Sequence, residues 1–230
     1  MGPLRWLAAQ LDSAISREAN ELQSRELTLP GALLRNPRGR RVAFMGGPAT
    51  GKTWLSMALL SAGWLFEGDA RIQLRTDGVR ALPRTIRIRD PLRALPSAWR
   101  KVAATAPCLA PSLEDPNNYE VRALDPRLLG RDWRLMSGPV DAILFLELNP
   151  GGRGAIRPLD STRAFRYALD MSRGRMSSLS AAALYKFVAG AAIFRLRIGQ
   201  AEEAVELIDR ALREATRYEL AGRFGVGAAL

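Results

Sequence analysis

Residues Gly46-Gly47-Pro48-Ala49-Thr50-Gly51-Lys52-Thr53 carry the clearest chemical signature of the chain. The spacing Gly-x-x-x-x-Gly-Lys-Thr is that of a phosphate loop. Glycine lets the backbone turn tightly, so that several N–H groups converge on one anion. Lys52 brings a positive charge within reach of β- and γ-phosphates, and the Thr53 hydroxyl is a ligand for Mg²⁺. A helix starting near Lys52 adds the positive end of its dipole. The expected cofactors are ATP and Mg²⁺, cradled by residues 46–53. A glycine turn that matches by accident is the plainer alternative. Against it, the chain's lysines are Lys52, Lys101 and Lys186, and one of them stands in the required place.

Such a loop works only between a strand and a helix. Val42-Ala43-Phe44-Met45 is a short apolar stretch before it. Trp54-Leu55-Ser56-Met57-Ala58-Leu59-Leu60 follows with helical spacing and a stop at Gly63. A second apolar run, Asp141-Ala142-Ile143-Leu144-Phe145-Leu146-Glu147, reads as a buried strand ending in a carboxylate. Glu147 can hold Mg²⁺ through water or orient an attacking water, as a Walker-B-type acid does. Otherwise it is a strand-end carboxylate paired with an arginine. Arg84, Arg87, Arg153 and Arg157 offer planar donor forks for phosphate or an acidic substrate group. Arg153 is the best placed, in the glycine loop Asn149-Pro150-Gly151-Gly152-Arg153-Gly154. Trp99, Trp133 and Tyr119 can flank an adenine or simply fill the core.

In the remaining chain, Leu4, Leu7, Leu11, Ile15, Ala19 and Leu22 recur at helical intervals, which predicts a helix over 4–27 ended by Pro30-Gly31. Asn36-Pro37-Arg38-Gly39 is a turn, and Thr76-Asp77-Gly78 a hairpin signal. Strands are expected over 79–82 and 84–89, the latter with one wet, basic face. A short helix is expected near 98–104, a strand over 119–124 and an edge strand over 155–159. Helices are expected over 161–171, capped by Asp160 or Ser161, over about 178–198, and over 201–220. Glu67 alternates with Asp69 and reads as a surface residue.

At 230 residues, 47% hydrophobic and 25% charged, the composition is that of a soluble globular domain with a proper core. No apolar run is long enough to span a bilayer, and the early Asp12, Glu18 and Glu21 break the order of a signal peptide. Cys108 is the sole cysteine and there is no histidine, so an internal disulfide and a Cys–His zinc site are excluded. The expected location is cytoplasmic. The net charge of +11 comes from arginines scattered in ones and twos, without an aromatic stacking motif. That pattern disfavours nucleic acid and leaves an acidic peptide or protein as a partner.

The order of phosphate loop, helix, Gly63-Trp64, short strand and Asp69 resembles the HPr kinase/phosphorylase family, in particular its short members that lack the N-terminal domain. Leu82-Pro83-Arg84-Thr85-Ile86-Arg87-Ile88, Phe145-Leu146-Glu147-Leu148-Asn149-Pro150-Gly151-Gly152-Arg153 and Ile156-Arg157-Pro158-Leu159 are similar to segments of that group, and Glu120-Val121-Arg122-Ala123-Leu124 echoes another. The likeness covers roughly residues 40 to 200, with the phosphate loop its one specific motif. It implies a phosphoenolpyruvate-carboxykinase-like mixed α/β sheet and an ATP-dependent kinase acting on a serine of a peptide or protein. It also implies paired aspartates near the metal, the first acting as base. Asp69 matches the first; Ala70 stands at the second, and the family's active-site histidine has no counterpart.

The expected organisation is an N-terminal helix over 1–30, a phosphate-loop core over 40–175 and a C-terminal helical hairpin over 176–222 packed on that core. Lys52 and Asp69 are the expected catalytic residues, with Thr53, Asp69 and Glu147 on the metal. Ala70 and the missing histidine motivate a second expectation, an ATP-binding regulatory or scaffold protein. A third is an ATPase working with a partner through Glu147. Oligomers remain open.

Overall fold

In the computed structural model the described residues are 14, 27–82, 85–89, 97–106, 108–109, 121–129, 133–172 and 176–225. The central run of the chain alternates β1 (Leu27–Arg35), β2 (Arg41–Met45) and helix α1 (Lys52–Ser61). Then come β3 (Leu65–Gly68), β4 (Arg71–Arg75), β5 (Gly78–Ala81), β6 (Ile86–Arg89), α2 (Ser97–Thr105), β7 (Cys108–Leu109) and β8 (Val121–Leu124). A 3₁₀ turn over Pro126–Leu129 leads on towards β9 (Ala142–Leu148) and β10 (Ala155–Pro158). Helices α3 (Ser161–Met171) and α4 (Ser178–Ala189), strand β11 (Ala192–Ile198) and helix α5 (Ala201–Gly225) complete the described residues.

The main sheet runs β10-β11-β9-β2-β1-β4-β5, with β3 also paired to β1. Its centre is parallel: β2 pairs β9, and β9 pairs β11, in the same direction. The three strands therefore deliver their C-terminal ends to one edge, the usual place for a ligand in an α/β sheet. Alternation along each strand decides what covers it. Val42 and Phe44 join Leu144, Leu196 and Ile198 under α1 and α5, whereas Ala43 and Met45 join Ile143 and Phe145 under α3 and α4. Both faces are buried, which is why these strands read as continuous apolar runs. A fully buried side chain such as Phe44 contributes about 1.5–3 kcal/mol.

A smaller sheet, β6-β8-β7, lies with α2 against α1. Trp99 locks the contact, its Nε1 donating to Met57 O at 2.8 Å and Ser61 Oγ at 2.9 Å.

β1 has two partners along one edge. Its C-terminal half pairs β3, its N-terminal half β4, and the register slips between Leu33 and Leu34, where Glu67 is the extra residue of a bulge. β3 and β4 thus form one interrupted strand, broken at Asp69-Ala70. Ala70 takes a left-handed φ of 77°.

Several sequence expectations fail here. Residues 192–198 are not helix: Phe194-Arg195-Leu196-Arg197-Ile198 alternates with period two, and the segment is a strand inside the sheet. The helical hairpin over 176–222 is accordingly a helix, a strand and a helix. Pro30-Gly31 does not end a helix but lies inside β1, at the position where the edge changes partner. One sheet draws on strands from 27 to 198, across the boundaries expected at 30, 40 and 175. The helix expected over 4–27 falls almost wholly outside the described residues. Arg87 on β6 is half-buried rather than on a wet face. The Asn36 turn, the Thr76-Asp77 hairpin, the strands at β5, β8, β9 and β10, and the Asp160-capped helix α3 stand as expected. Among the described residues no helix is long and apolar enough to cross a membrane.

Candidate active site

β2 ends at Met45, and the loop turns at the sheet's C-terminal edge before α1 starts at Lys52 with Gly51 as its N-cap. Gly51 has φ 84°, a conformation glycine adopts without strain. Ala49 shares the left-handed region at φ 60° without being glycine. Gly46 is needed for space: a Cβ there would lie 2.5 Å from the Thr50 hydroxyl, which donates to Gly47 O at 2.9 Å. The amides of Gly47, Ala49, Thr50 and Gly51 find no acceptor among the described residues. They are left available for an anion at the helix N-terminus.

Lys52 folds back along the loop. Its Nζ donates to Gly46 O at 2.8 Å and Gly47 O at 2.5 Å and lies 3.3 Å from Thr50 Oγ1. Burial pulls the Lys52 ammonium below the ordinary amine range, and the Asp69 carboxylate pulls in the opposite direction. An anion here would favour the charged form, so the ammonium is poised for phosphate.

Thr53, one residue on, donates its hydroxyl to Asp69 Oδ2 at 2.7 Å. Asp69 is buried, and its Oδ1 accepts from Ala70 N at 2.6 Å. The interruption between β3 and β4 is what aims Asp69 at α1. A hydroxyl and a carboxylate in contact at a phosphate loop fit Mg²⁺, which takes one or two protein oxygens and completes its shell with phosphate and water. Among the described residues no cluster of three or more His, Cys, Asp or Glu side chains occurs that would hold a metal unaided.

Glu67 was expected at the surface and is instead buried. Arg41 grips it with Nε at 3.0 and 2.9 Å from the two oxygens and Nη2 at 2.7 Å. The same guanidinium donates to Val79 O, Met136 O and Gly138 O at 2.8, 2.7 and 2.6 Å, and Trp133 Nε1 donates to Glu67 O at 3.1 Å. This node ties β2, β3, β5 and the segment before β9 together, two residues upstream of Asp69.

Glu147 is not brought to Thr53. Its side chain lies on the face of β9 that carries Phe145, opposite α1, and is ion-paired with Arg195 and, at 3.4 Å, with Arg197. The Arg195 hydrogen bond, opposed by burial and aided by the charges of Arg195 and Arg197, holds its carboxyl below the usual range. The structure thus gives Glu147 the arginine-paired role and separates it from Thr53 and Asp69. Arg153 is exposed in the loop after β9, at the same edge of the sheet as Gly51, where an added Cβ would meet the side chains of Leu148 and Ile198 at 3.5 and 3.6 Å. Arg157 is exposed on β10, and Arg84 and Tyr119 lie outside the described residues. Trp99 is core, and the half-buried Trp133 packs on Phe66 at a centroid distance of 6.4 Å.

A cleft of about 220 Å³ opens beside Gly46 and Gly47 on the α3 side, lined also by Glu147, Tyr167, Asp170 and Arg195. No local sequence signal marks it. Its residues come from α3, β9 and β11, and reading β11 as helix removed the strand that closes it.

The fold and site together define a mixed α/β protein with a glycine-rich loop of open amides at the C-terminal ends of parallel strands. No protein-family model and no curated protein matches the chain. Among solved structures it is similar to the Hpr(Ser) kinase/phosphatase from Coxiella burnetii, at 13% identity and a TM-score of 0.41, over 86% of this chain and 97% of that chain.

Proposed function

We propose that this protein is an ATP- and Mg²⁺-dependent kinase of the HPr-kinase-like kind, transferring phosphate to a hydroxyl, such as serine, of a peptide or protein. The observation that carries the reading is the 2.7 Å contact between Thr53 Oγ1 and Asp69 Oδ2 beside the open amides and Lys52. Phosphoryl transfer asks a protein mainly for positioning and charge neutralisation, and these groups supply both. When bound, Mg²⁺ neutralises charge building on the phosphates. Lys52 leaves the loop carbonyls for the phosphates, and the amides of Gly47, Ala49, Thr50 and Gly51 orient them. Thr53 and Asp69 hold the metal side. We assign Asp69 to the metal side and, as the resemblance implies, to accepting the proton of the incoming hydroxyl.

The water-activating ATPase reading is the weaker one, because Glu147 is committed to Arg195 and Arg197. A regulatory nucleotide-binding protein is favoured by one feature, Ala70 where a second carboxylate would stand.

Titration calorimetry with ATP and Mg²⁺ tests the reading. Lys52→Ala should weaken binding about 10- to 100-fold, the value of one or two charge-assisted hydrogen bonds. Thr53→Ala should remove most of the Mg²⁺ dependence. Equal affinity in wild type and Lys52→Ala would exclude a phosphate cradle. Binding that survives in a protein that transfers phosphate to no acceptor would favour the regulatory reading.

A further inference from the structure

We propose that the cavity between the β1–β2 turn and α5 is a second ligand site, built for a small organic anion that carries two or more phosphate or carboxylate groups. It lies apart from the phosphate loop and does not rest on the kinase reading.

The turn supplies a rigid wall. Asn36-Pro37-Arg38-Gly39 joins β1 to the N-terminal end of β2, and the phosphate loop leaves the other end of that strand. Five residues of β2 separate the two by about 15 Å. Asn36 Oδ1 accepts from Arg38 N at 3.0 Å and from Arg40 N at 2.8 Å. Asn36 N donates to Arg40 O, and Gly39 N to Asn36 O, both at 2.9 Å. Gly39 supplies the left-handed φ of 84° that the turn requires. Arg38 and Arg40 are thus presented from a fixed frame.

Helix α5 is the facing wall. Arg40 Nη1 donates to Leu212 O at 3.1 Å, which ties the turn to the helix. Asp209 and Arg213, one helical turn apart, complete the lining. The volume is about 490 Å³, inside the roughly 300–1,000 Å³ of small-molecule sites.

Charge decides the class of ligand. Arg38, Arg40 and Arg213 bring three positive charges to the walls and Asp209 one negative, which leaves a balance of +2. Arg38 and Arg213 form no ion pair among the described residues. Guanidinium forks that line one space suit the paired oxygens of carboxylates and phosphates.

Asn36 points the same way independently. It is 5% exposed and lines the cavity. Two backbone donors fix its Oδ1, so the position of its Nδ2 is fixed as well. Nδ2 finds no acceptor among the described residues. A largely buried amide donor left open onto a cavity is a ready partner for a ligand oxygen. Asp209 is the one lining group that opposes an anion, and its removal should act with the opposite sign.

The net charge of +11 attracts anions diffusely, and salt screens that attraction. Binding of pyrophosphate and of citrate is therefore measured by calorimetry at about 0.15 M salt. The full chain carries Lys52→Ala, so that the phosphate loop contributes little. Arg38→Met and Arg213→Met should each weaken binding about 10-fold, and together about 100-fold. Asp209→Asn should strengthen it. Arg80→Met, which removes an exposed charge on β5, should change it less than about twofold. Arg38→Met keeps the backbone N–H that Asn36 accepts, so the melting temperature should not move. Binding of pyrophosphate without citrate supports the site with a phosphorylated ligand, and the reverse supports it with a polycarboxylate. Binding of neither anion overturns the proposal, as does an equal loss in Arg80→Met and Arg38→Met. Binding of a hexaglutamate peptide with neither small anion overturns it too, and would give the surface to an acidic protein partner.

Discussion

Arg41 and Glu67 offer the sharpest test of how the fold holds Asp69. Their side chains are 6% and 3% exposed and meet through three N–H···O contacts of 2.7 to 3.0 Å. Replacing one partner strands the other in a medium of low polarity, which costs about 3–5 kcal/mol. The two single substitutions should not cost the same. After Glu67→Leu the guanidinium keeps the carbonyls of Val79, Met136 and Gly138, with Pro139 O further off at 3.3 Å. That change belongs at the lower end, about 3 kcal/mol. Arg41→Met leaves the Glu67 carboxylate with Arg35 Nη2 alone, at 3.4 Å, and also strips those carbonyls of their donor. It belongs at the upper end, about 5 kcal/mol. The double variant replaces the pair by apolar groups and should cost clearly less than the sum, with a coupling of about 2 kcal/mol or more.

Urea unfolding followed by tryptophan fluorescence reads these differences, with the slope checked for constancy across the set. In a domain of this size the single substitutions should lower the melting temperature on the order of 10 °C. Additive costs, or a loss below about 1 kcal/mol for Arg41→Met, would refute the claim that this pair is a buried, mutually dependent node. The consequence for the site follows from the chain path: Glu67 is two residues before Asp69. Glu67→Leu should therefore weaken Mg²⁺-dependent nucleotide binding while leaving the sequence of the loop untouched.

Further outcomes follow from single positions. Ala70→Gly should stabilise the protein by about 0.5–1 kcal/mol, since a left-handed alanine costs about 1–2 kcal/mol and glycine returns part of that as unfolded-state entropy; thermal unfolding checks it. Ala70→Asp should raise Mg²⁺ affinity in calorimetry, because the loop's partner strand would then present two adjacent carboxylates. Glu147 is held low by Arg195, so its folded form loses its proton more readily than its unfolded form. Its contribution is full above the unfolded value of about 4.3 and fades as pH falls through the folded value. Glu147→Gln should accordingly narrow its stability gap to wild type on acidification below about pH 4 and show no such trend from about pH 6 to 8. An unchanged gap throughout would refute the pairing.

How far the sequence spoke depends on the range of the interaction. The loop, α1 and β9 were legible because their signals are local: glycine spacing, helical periodicity and an apolar run. The Asp69 contact with Thr53 followed only from family resemblance, since the bulge at Glu67 and the break at Ala70 that create it arise from pairing with β1. Glu67 was misread for the same reason. Alternation in an isolated strand says which side chains share a face, but the bulge changes the count, and Arg41 lies 26 residues away. The period-two alternation of β11 is legible, but Gly190 and Ala191 are a weak boundary, so the segment reads as a continuation of α4. Its place between β9 and β10 is fixed by packing on both faces, which no window of sequence contains.

The interrupted strand explains why the acidic residue stands where it does. An unbroken strand from Leu65 to Arg75 would keep its hydrogen bonds to β1 and point successive side chains to opposite faces. Inserting Glu67 reverses that alternation once, and the left-handed Ala70 lets the chain resume pairing with Pro30. Between these two irregularities Asp69 turns towards α1, where Thr53 meets it. The energetic cost is carried by the Arg41–Glu67 node and by the apolar layer of Phe66 and Trp133 beneath it. A metal-side carboxylate made this way depends on long-range pairing, whereas Lys52 and Thr53 depend only on the loop. On the proposed function, one change at Arg41 should therefore remove the metal site while the loop stays intact, and loss of Mg²⁺ dependence with retained phosphate affinity in Arg41→Met would be the sign of it.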